Sequence, residues 1–398
     1  MNRLLAILVL IGVLSGCASQ PPEPATLDSP EDFQAALAQA IENDTVDTFW
    51  DQVVADRPAP LIFGNSAVFI YRGEAETVRW SVDYAISDGS LKAMRGQRQG
   101  DSDIWLHVRE FPADARLSYR LIIDEDEPIL DPLNPYQAME GSGPVSELRM
   151  PAYEFPEAAV RSDDTPRGLL SDDMTLQGEH LPYPVTYRVY TPFAYESLQD
   201  LPVIYVADGQ EYLDDDLGSM VIILDNLIAG GAIEPVMAVF LDPRDPVTGG
   251  NRRASQYTGS RAFEAFLVEE LVPTIDATYR TGASADTRAI LGASFGGTLA
   301  ANLGLKHPDT FGLIGMHSPG FPEHDLIKAY AESDRLPLKI FMSIGTLGDV
   351  GLDVRRYVRD LLLDKGYALH YVEVNDGHAW GNYRRVTDDT LIYFFGQE

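Results

Sequence analysis

Two stretches of unlike periodicity predict an α/β domain built on a mostly parallel, doubly wound sheet and preceded by a small β-sandwich. From about residue 175 to the C-terminus, apolar strand-like runs alternate with segments of helical spacing, the pattern of parallel strands joined by crossover helices. Residues 61–136 instead carry short runs of alternating hydrophobicity separated by turn residues, as the strands of a sandwich do. A chain of 398 residues with 45% hydrophobic content is large and apolar enough to bury two such cores.

Taken in order, residues 1–16 read as a signal peptide, with Arg3 ahead of an apolar run from Leu4 to Leu14 that is too short to span a bilayer. Leu14-Ser15-Gly16-Cys17 resembles the bacterial lipobox, which implies cleavage before Cys17 and its lipidation, and Ala18 after it favours the outer membrane, facing the periplasm or the exterior. Three acyl chains, each contributing about 0.8 kcal/mol per buried CH₂, would hold the protein there essentially permanently. Cys17 is the only cysteine, so the sequence offers no disulfide framework and no thiolate metal cluster.

Residues 17–28 form a tether that is Pro-rich from Gln20 to Ala25, and residues 29–60 a helical lead-in. In the lead-in Ser29 caps a first turn holding Glu31 and Asp32, with Phe33, Leu37 and Ile41 at helical spacing. The sandwich strands are Ala67–Tyr71, Val78–Tyr84, Ile104–Val108 and Leu117–Ile123. Their aromatics Trp80, Tyr84 and Trp105 are expected in the core, sugar stacking being the alternative. Residues 137–174, without steady period, read as a linker. Residues 175–398 then supply strands at Val185–Tyr190, Leu201–Ala207, Pro235–Leu241, Arg288–Ala293, Phe311–Met316, Lys339–Ile344 and His370–Val374, with helices at Arg261–Tyr279, Gly296–Lys306 and Val354–Lys365.

A formal charge of −31 disfavours a nucleic-acid partner, whose phosphates are bound by basic side chains. The acidic run Asp214-Asp215-Asp216 has no histidine or ligand spacing and reads as a solvated loop, so no metal is expected. Oligomeric state leaves no mark in the sequence.

The chemistry concentrates late in the chain. Gly292-Ala293-Ser294-Phe295-Gly296 matches G-x-S-x-G between an apolar strand and a small-residue helix, the setting of a strained turn that lifts a serine hydroxyl off the sheet edge. Such a serine needs a base further along the chain, and His378, in the loop after the last strand, fits that position better than His324 or His370. The acid that orients the base should leave the strand Lys339–Ile344, where Asp349 is the first candidate and Asp353 the alternative. The oxyanion needs preset N–H donors, expected from Phe295 and from Gly209 and Gln210 after the strand Leu201–Ala207.

With these residues in view, the part from about residue 175 resembles the enterochelin (enterobactin) esterase family, esterase D-like α/β-hydrolases. The motifs that carry the resemblance are Tyr205 to Gln210, Arg253-Ala254-Ser255-Gln256-Tyr257, Glu270-Leu271-Val272-Pro273, Gly292 to Gly297, His307 to Phe311, and Gly377-His378-Ala379-Trp380. The segment ending Asp131-Pro132-Leu133-Asn134-Pro135-Tyr136 resembles the early-set sandwich modules found before such domains. The resemblance implies a serine carboxylic ester hydrolase without a cofactor, acting through an acyl-enzyme on a small-molecule ester, first of all a ferric catecholate trilactone siderophore. Arg252, Arg253 and Arg384 would meet the anionic ligand, Gln256 would contribute to the pocket, and Trp380 and Tyr383 would stack on an aromatic acyl group. Two departures, Gln256 in place of Glu and Asp376 in place of the first Gly before His378, point to a changed pocket. Feruloyl or acetyl esters of polysaccharide are the alternative substrates, and a non-catalytic glycan-binding envelope lipoprotein is the rival from another class.

Overall fold

The computed structural model describes residues 27–82, 94–321, 324–348 and 351–397. The signal peptide, Cys17, most of the tether, Tyr84 and Asp349 lie outside the described residues. The lead-in helix Pro30–Glu42 begins as its sequence dictates, with the Ser29 Oγ accepting from the Asp32 N–H at 3.0 Å. Phe33 and Leu37 are fully buried in one cluster with Leu61, Val68, Ile70 and Leu106, so the helix covers one face of the sandwich.

Two antiparallel sheets form that sandwich. One has the order β1-β2-β6-β5, from β1 (Leu61–Phe63), β2 (Ser66–Arg72), β5 (Gln97–Arg98) and β6 (Ile104–Glu110). The other has the order β4-β3-β7-β9-β8, from β3 (Val78–Val82), β4 (Met94–Arg95), β7 (Arg116–Ile123), β8 (Gln137–Glu140) and β9 (Gly143–Arg149). In β3 the alternation works as expected, Val78, Trp80 and Val82 facing inward. Trp80 packs on Phe69 with ring centroids 5.8 Å apart, and Trp105 joins the same core, so neither indole is a sugar platform. The boundary expected at residue 136 is too early. Residues 137–149 are two further strands, β9 pairing with β7 and β8 with β9. They read as linker because Glu140, Ser146 and Glu147 are buried polar residues that break the inward-apolar alternation.

The third sheet has nine strands among the described residues, in the order β10-β12-β14-β13-β15-β16-β17-β18, with β11 also pairing β12. Its strands are β10 (Leu169–Leu170), β11 (Met174–Leu176), β12 (Val185–Thr191), β13 (Val203–Val206), β14 (Met237–Asp242), β15 (Arg288–Ala293), β16 (Leu313–His317), β17 (Lys339–Gly345) and β18 (Ala368–Val374). From β14 to β18 every pairing is parallel, whereas β12 pairs antiparallel with β14 and with β10 and β11. Every residue of β13 and β15 is buried because helices cover both faces. Alternate residues of β13 feed different cores, Val203 and Tyr205 one layer, Ile204 and Val206 the other. The chain goes from β13 to β14 on one side and then to β15 on the other, so the strand order reverses at β13, and the crevice at the carboxyl ends of such strands is where α/β sheets place ligands. The helical stripe at 261–279 is continuous, but Phe266–Leu271 is π-wound just before Pro273, whose missing N–H disrupts regular α pairing.

Candidate active site

At the carboxyl end of β15 the chain turns through Ser294 into the helix Phe295–Lys306. Ser294 sits at φ 56° and ψ −115°, a conformation that costs a non-glycine residue about 1–3 kcal/mol and must be held by its surroundings. The restraints are visible: the Ser294 N–H donates to the His317 carbonyl at 2.9 Å, and the Ser294 carbonyl accepts from the Gly320 N–H at 3.0 Å. A Cβ on Gly292 would lie 2.4 Å from the Gly296 carbonyl carbon, so this turn closes only with glycine. Ser294 is half-buried, and the N–H of Phe295 opens the helix, where no intrahelical acceptor exists for it. It is therefore available to an oxyanion, in the positive field of the helix start.

His378 stands in the loop between β18 and the helix Trp380–Arg385, half-buried, with Tyr383 edge-on to its ring at 5.7 Å. Ser294, His378, Arg253, Trp380 and Tyr383 line one cleft of about 300 Å³, together with Ala293, Ala379, Asn251, Glu211, Glu140 and Gly141. Glu140 and Gly141 come from the β8–β9 hairpin, so the sandwich supplies part of the cleft wall. A Cβ on Gly141 would lie 3.1 Å from the Glu211 carboxylate across the domain boundary. Burial, followed by the nearby Asp208, pushes the Glu211 carboxyl up to about 7.

Several expected positions have structural partners. Arg253 donates through Nε to Asp208 Oδ1 at 2.7 Å and through Nη2 to the Ala293 carbonyl at 2.9 Å, and lies over the Phe295 ring. It braces the turn that carries Ser294. Arg252 pairs with Asp245 and stacks on Tyr183, outside the cleft lining. Arg384, also outside that lining, is buried, donates to the Asp216 and Leu217 carbonyls and covers Phe155. Gln256 is buried, with its amide reaching Tyr183. At Gly209 a Cβ would lie 2.5 Å from the backbone of Phe240 and Leu241 at the end of β14, a packing reason for glycine there. Gln210 also lines a separate pocket with Tyr187, Arg188 and Arg244, and its N–H lies in the first turn of the short helix Gly209–Tyr212.

Asp353 lies exposed in the first turn of the helix Leu352–Asp364, beside Lys328 and Tyr357 and away from the cleft. The loop leaving β17, which continues toward Asp349, is tied to the His378 loop instead: the Leu347 N–H donates to the Asp376 carbonyl at 3.0 Å and Thr346 Oγ1 to Asn375 Oδ1 at 2.8 Å. Asp376, read from sequence as a change in the pocket, is wholly buried and faces Arg116 of the sandwich. Beneath the site His317 spans Tyr212 and Thr390 at 2.9 and 2.8 Å, and burial pushes it down to about 3, so it is neutral. Glu140, Glu211 and Arg116 carry no sequence signal for this site; only Glu211, directly after Gly209-Gln210, stands near an expected element.

Comparison with known proteins agrees with this architecture. Ferric enterobactin esterase from Salmonella typhimurium superposes with a TM-score of 0.71 at 18% identity, over 87% of this chain and 98% of that one. The Shigella flexneri enterobactin esterase superposes with 0.68 at 19% identity, over 87% and 97%. These likenesses identify the fold, an α/β-hydrolase preceded by a small β-sandwich. In sequence, an Endo-1,4-beta-xylanase/feruloyl esterase from Xylanibacter ruminicola is 28% identical over 56% of this chain and 31% of its own length. An Iron(III) enterobactin esterase from Dickeya dadantii is 25% identical over 63% and 61%, so the chain spans less than two thirds of either relative. The Bacillus subtilis protein YjcH is 29% identical over 49% of this chain and 85% of its own. The family model described as "Putative esterase" matches residues 178–384, more than half of the chain, and with the serine turn and the histidine loop on that stretch, the chain belongs to this esterase family and is a carboxylic ester hydrolase.

Proposed function

We propose that the protein is a serine esterase working through an acyl-enzyme, with Ser294 as nucleophile, His378 as general base and then general acid, and Asp349, four residues past the end of β17 in sequence, orienting the imidazole. The observation that carries this reading is the strained turn at Ser294 opening into the same cleft as His378. His378 takes the hydroxyl proton as Ser294 attacks the ester carbonyl, and the Phe295 N–H receives the developing oxyanion at the helix start. Returning the proton to the leaving alkoxide gives the acyl-enzyme, and water activated by the same histidine releases the acid. Cys17 anchors the enzyme by lipid in the cell envelope.

For the substrate, the lining of the cleft favours a neutral ester such as a feruloyl or acetyl group on polysaccharide. Glu211 faces it, Glu140 is held by Arg116 and the Trp380 N–H, and the one cationic side chain among the described lining residues, Arg253, is engaged by Asp208 and Ala293. A ferric catecholate trilactone is the second reading, favoured by a fold match to enterobactin esterases that extends over the sandwich. Values of kcat/KM on a feruloyl ester, a simple acetyl ester and an iron-loaded catecholate trilactone, measured side by side, test it. Preference for the neutral esters is expected, and faster cleavage of the trilactone would overturn it.

A further inference from the structure

The sandwich reaches the site through one buried side chain. Arg116, at the start of β7, is completely buried, although arginine is rarely found there without full pairing. Its Nε donates to Glu147 Oε1 at 2.5 Å, its Nη2 lies 3.7 Å from Glu140 Oε1, and its Nη1 lies 3.4 Å from Asp376 Oδ1. Glu147 and Glu140 belong to its own sheet, whereas Asp376 precedes His378 by two residues on the other domain. The backbone joins in: the Arg116 N–H donates to the Asn375 carbonyl at 2.9 Å, and Glu140 Oε2 accepts from the Trp380 N–H at 2.8 Å.

The fit is tight on the far side as well. A Cβ on Gly381 would fall 2.3 Å from Arg116 Cζ, so the guanidinium rests directly against the backbone of the helix that follows His378. Asp114, two residues before Arg116, binds Asn375 at 2.7 Å and Arg385 at 3.1 Å. Positions 375, 376, 380, 381 and 385 are thus held by the sandwich, and His378 lies in the middle of the clamped segment. Domain docking alone needs no contact so close to one histidine.

We propose that Arg116 is a positioning residue for His378, fixing the loop that presents the imidazole to Ser294 by gripping Asp376 and the backbone at Gly381. The inference rests on His378 being the base. It makes the sandwich an integral part of the catalytic apparatus rather than an accessory module, and it gives the Asp376 departure from the family pattern a partner and a purpose. Misplacing a reacting group by about 1 Å costs about 10²-fold in rate, and that is the scale of loss expected when the grip is released.

The test uses the full chain and a chromogenic acetyl ester, with Arg116→Ala, Gly381→Ala, His378→Ala and the Gly381→Ala/His378→Ala pair. Gly381→Ala keeps every charge and displaces the guanidinium, so it decides the matter if Arg116→Ala does not fold. The expected result is a kcat lowered about 10- to 100-fold in folded Gly381→Ala, with KM within about twofold, and no further loss when the substitution is added to His378→Ala. Millimolar guanidinium ion should restore part of the kcat of Arg116→Ala. An unchanged kcat in Gly381→Ala, or a loss that persists undiminished in the His378→Ala background, would overturn the proposal. Undiminished turnover in His378→Ala itself would instead overturn the assignment of the base.

Discussion

Replacing Arg253 with Met removes the one cation among the described residues paired with Asp208, a carboxylate with no solvent exposure whose second oxygen has no hydrogen-bond partner among them. Breaking a buried ion pair from one side costs about 3–5 kcal/mol, because the remaining charge stays desolvated. Burial already holds the Asp208 carboxyl above its ordinary range despite Arg253, and without the guanidinium it must rise further. A carboxyl raised on folding contributes stability that is present at low pH and is lost as the pH climbs through its folded value. The variant's deficit should accordingly be smaller at low pH, where protonation offsets the lost cation, and grow toward about 3 kcal/mol as pH rises, compared at about pH 5 and about pH 8. Urea denaturation of wild type, Arg253→Met and Arg253→Met/Asp208→Asn at both pH values measures it, and the double variant should recover most of the loss. Because Arg253 also holds the Ala293 carbonyl next to Ser294, turnover should fall alike on neutral and anionic esters. A deficit below about 1 kcal/mol at both pH values, with a loss confined to KM for anionic substrates, would refute the bracing role and return Arg253 to the substrate.

Three further outcomes are expected. Asp349→Asn should lower kcat by orders of magnitude while Asp353→Asn, on an exposed helix turn, should leave it near wild type; the reverse order would remove Asp349 from the triad. Cys17→Ser should move the protein from the membrane to the soluble fraction, and a wild type that is already soluble contradicts the anchor. Asp376, pushed up to about 7 by burial and by Glu140 and Glu147 against the pull of Arg116 and the Gly377 N–H, should weaken the wild type relative to Asp376→Asn as pH rises from about 4 to about 7; Tm differences that stay flat over that window would show the group is not raised.

How far the sequence could be read follows from the range of the interactions. Periodicity and turn chemistry are local, so the alternation of strands and helices, the Ser29 cap and the Gly-lined turn at Ser294 were all visible in it. The β8–β9 hairpin was not, because its buried Glu140 and Glu147 look like surface residues until Arg116 is placed among them. That cluster joins positions up to 260 residues apart, and no spacing rule spans such a gap. The arginines show the same limit: Arg384 stands six residues after His378 and Arg252 and Arg253 about forty before Ser294, and the carboxylates and carbonyls that hold them are brought to them only by the fold. Asp376 stands out in the sequence as a departure, but its direction, toward the sandwich and away from the cleft, depends on a neighbour from another domain.

The central claim, covalent catalysis by Ser294, is tested most directly by labelling the intact protein with a fluorophosphonate and locating the adduct by mass spectrometry. Trypsin releases Ala289–Lys306, a peptide whose only serine is Ser294. The expected result is a stoichiometric adduct on that residue with complete loss of ester turnover, and neither labelling nor turnover in Ser294→Ala. An adduct on a different peptide, or ester hydrolysis that survives in Ser294→Ala, would contradict it.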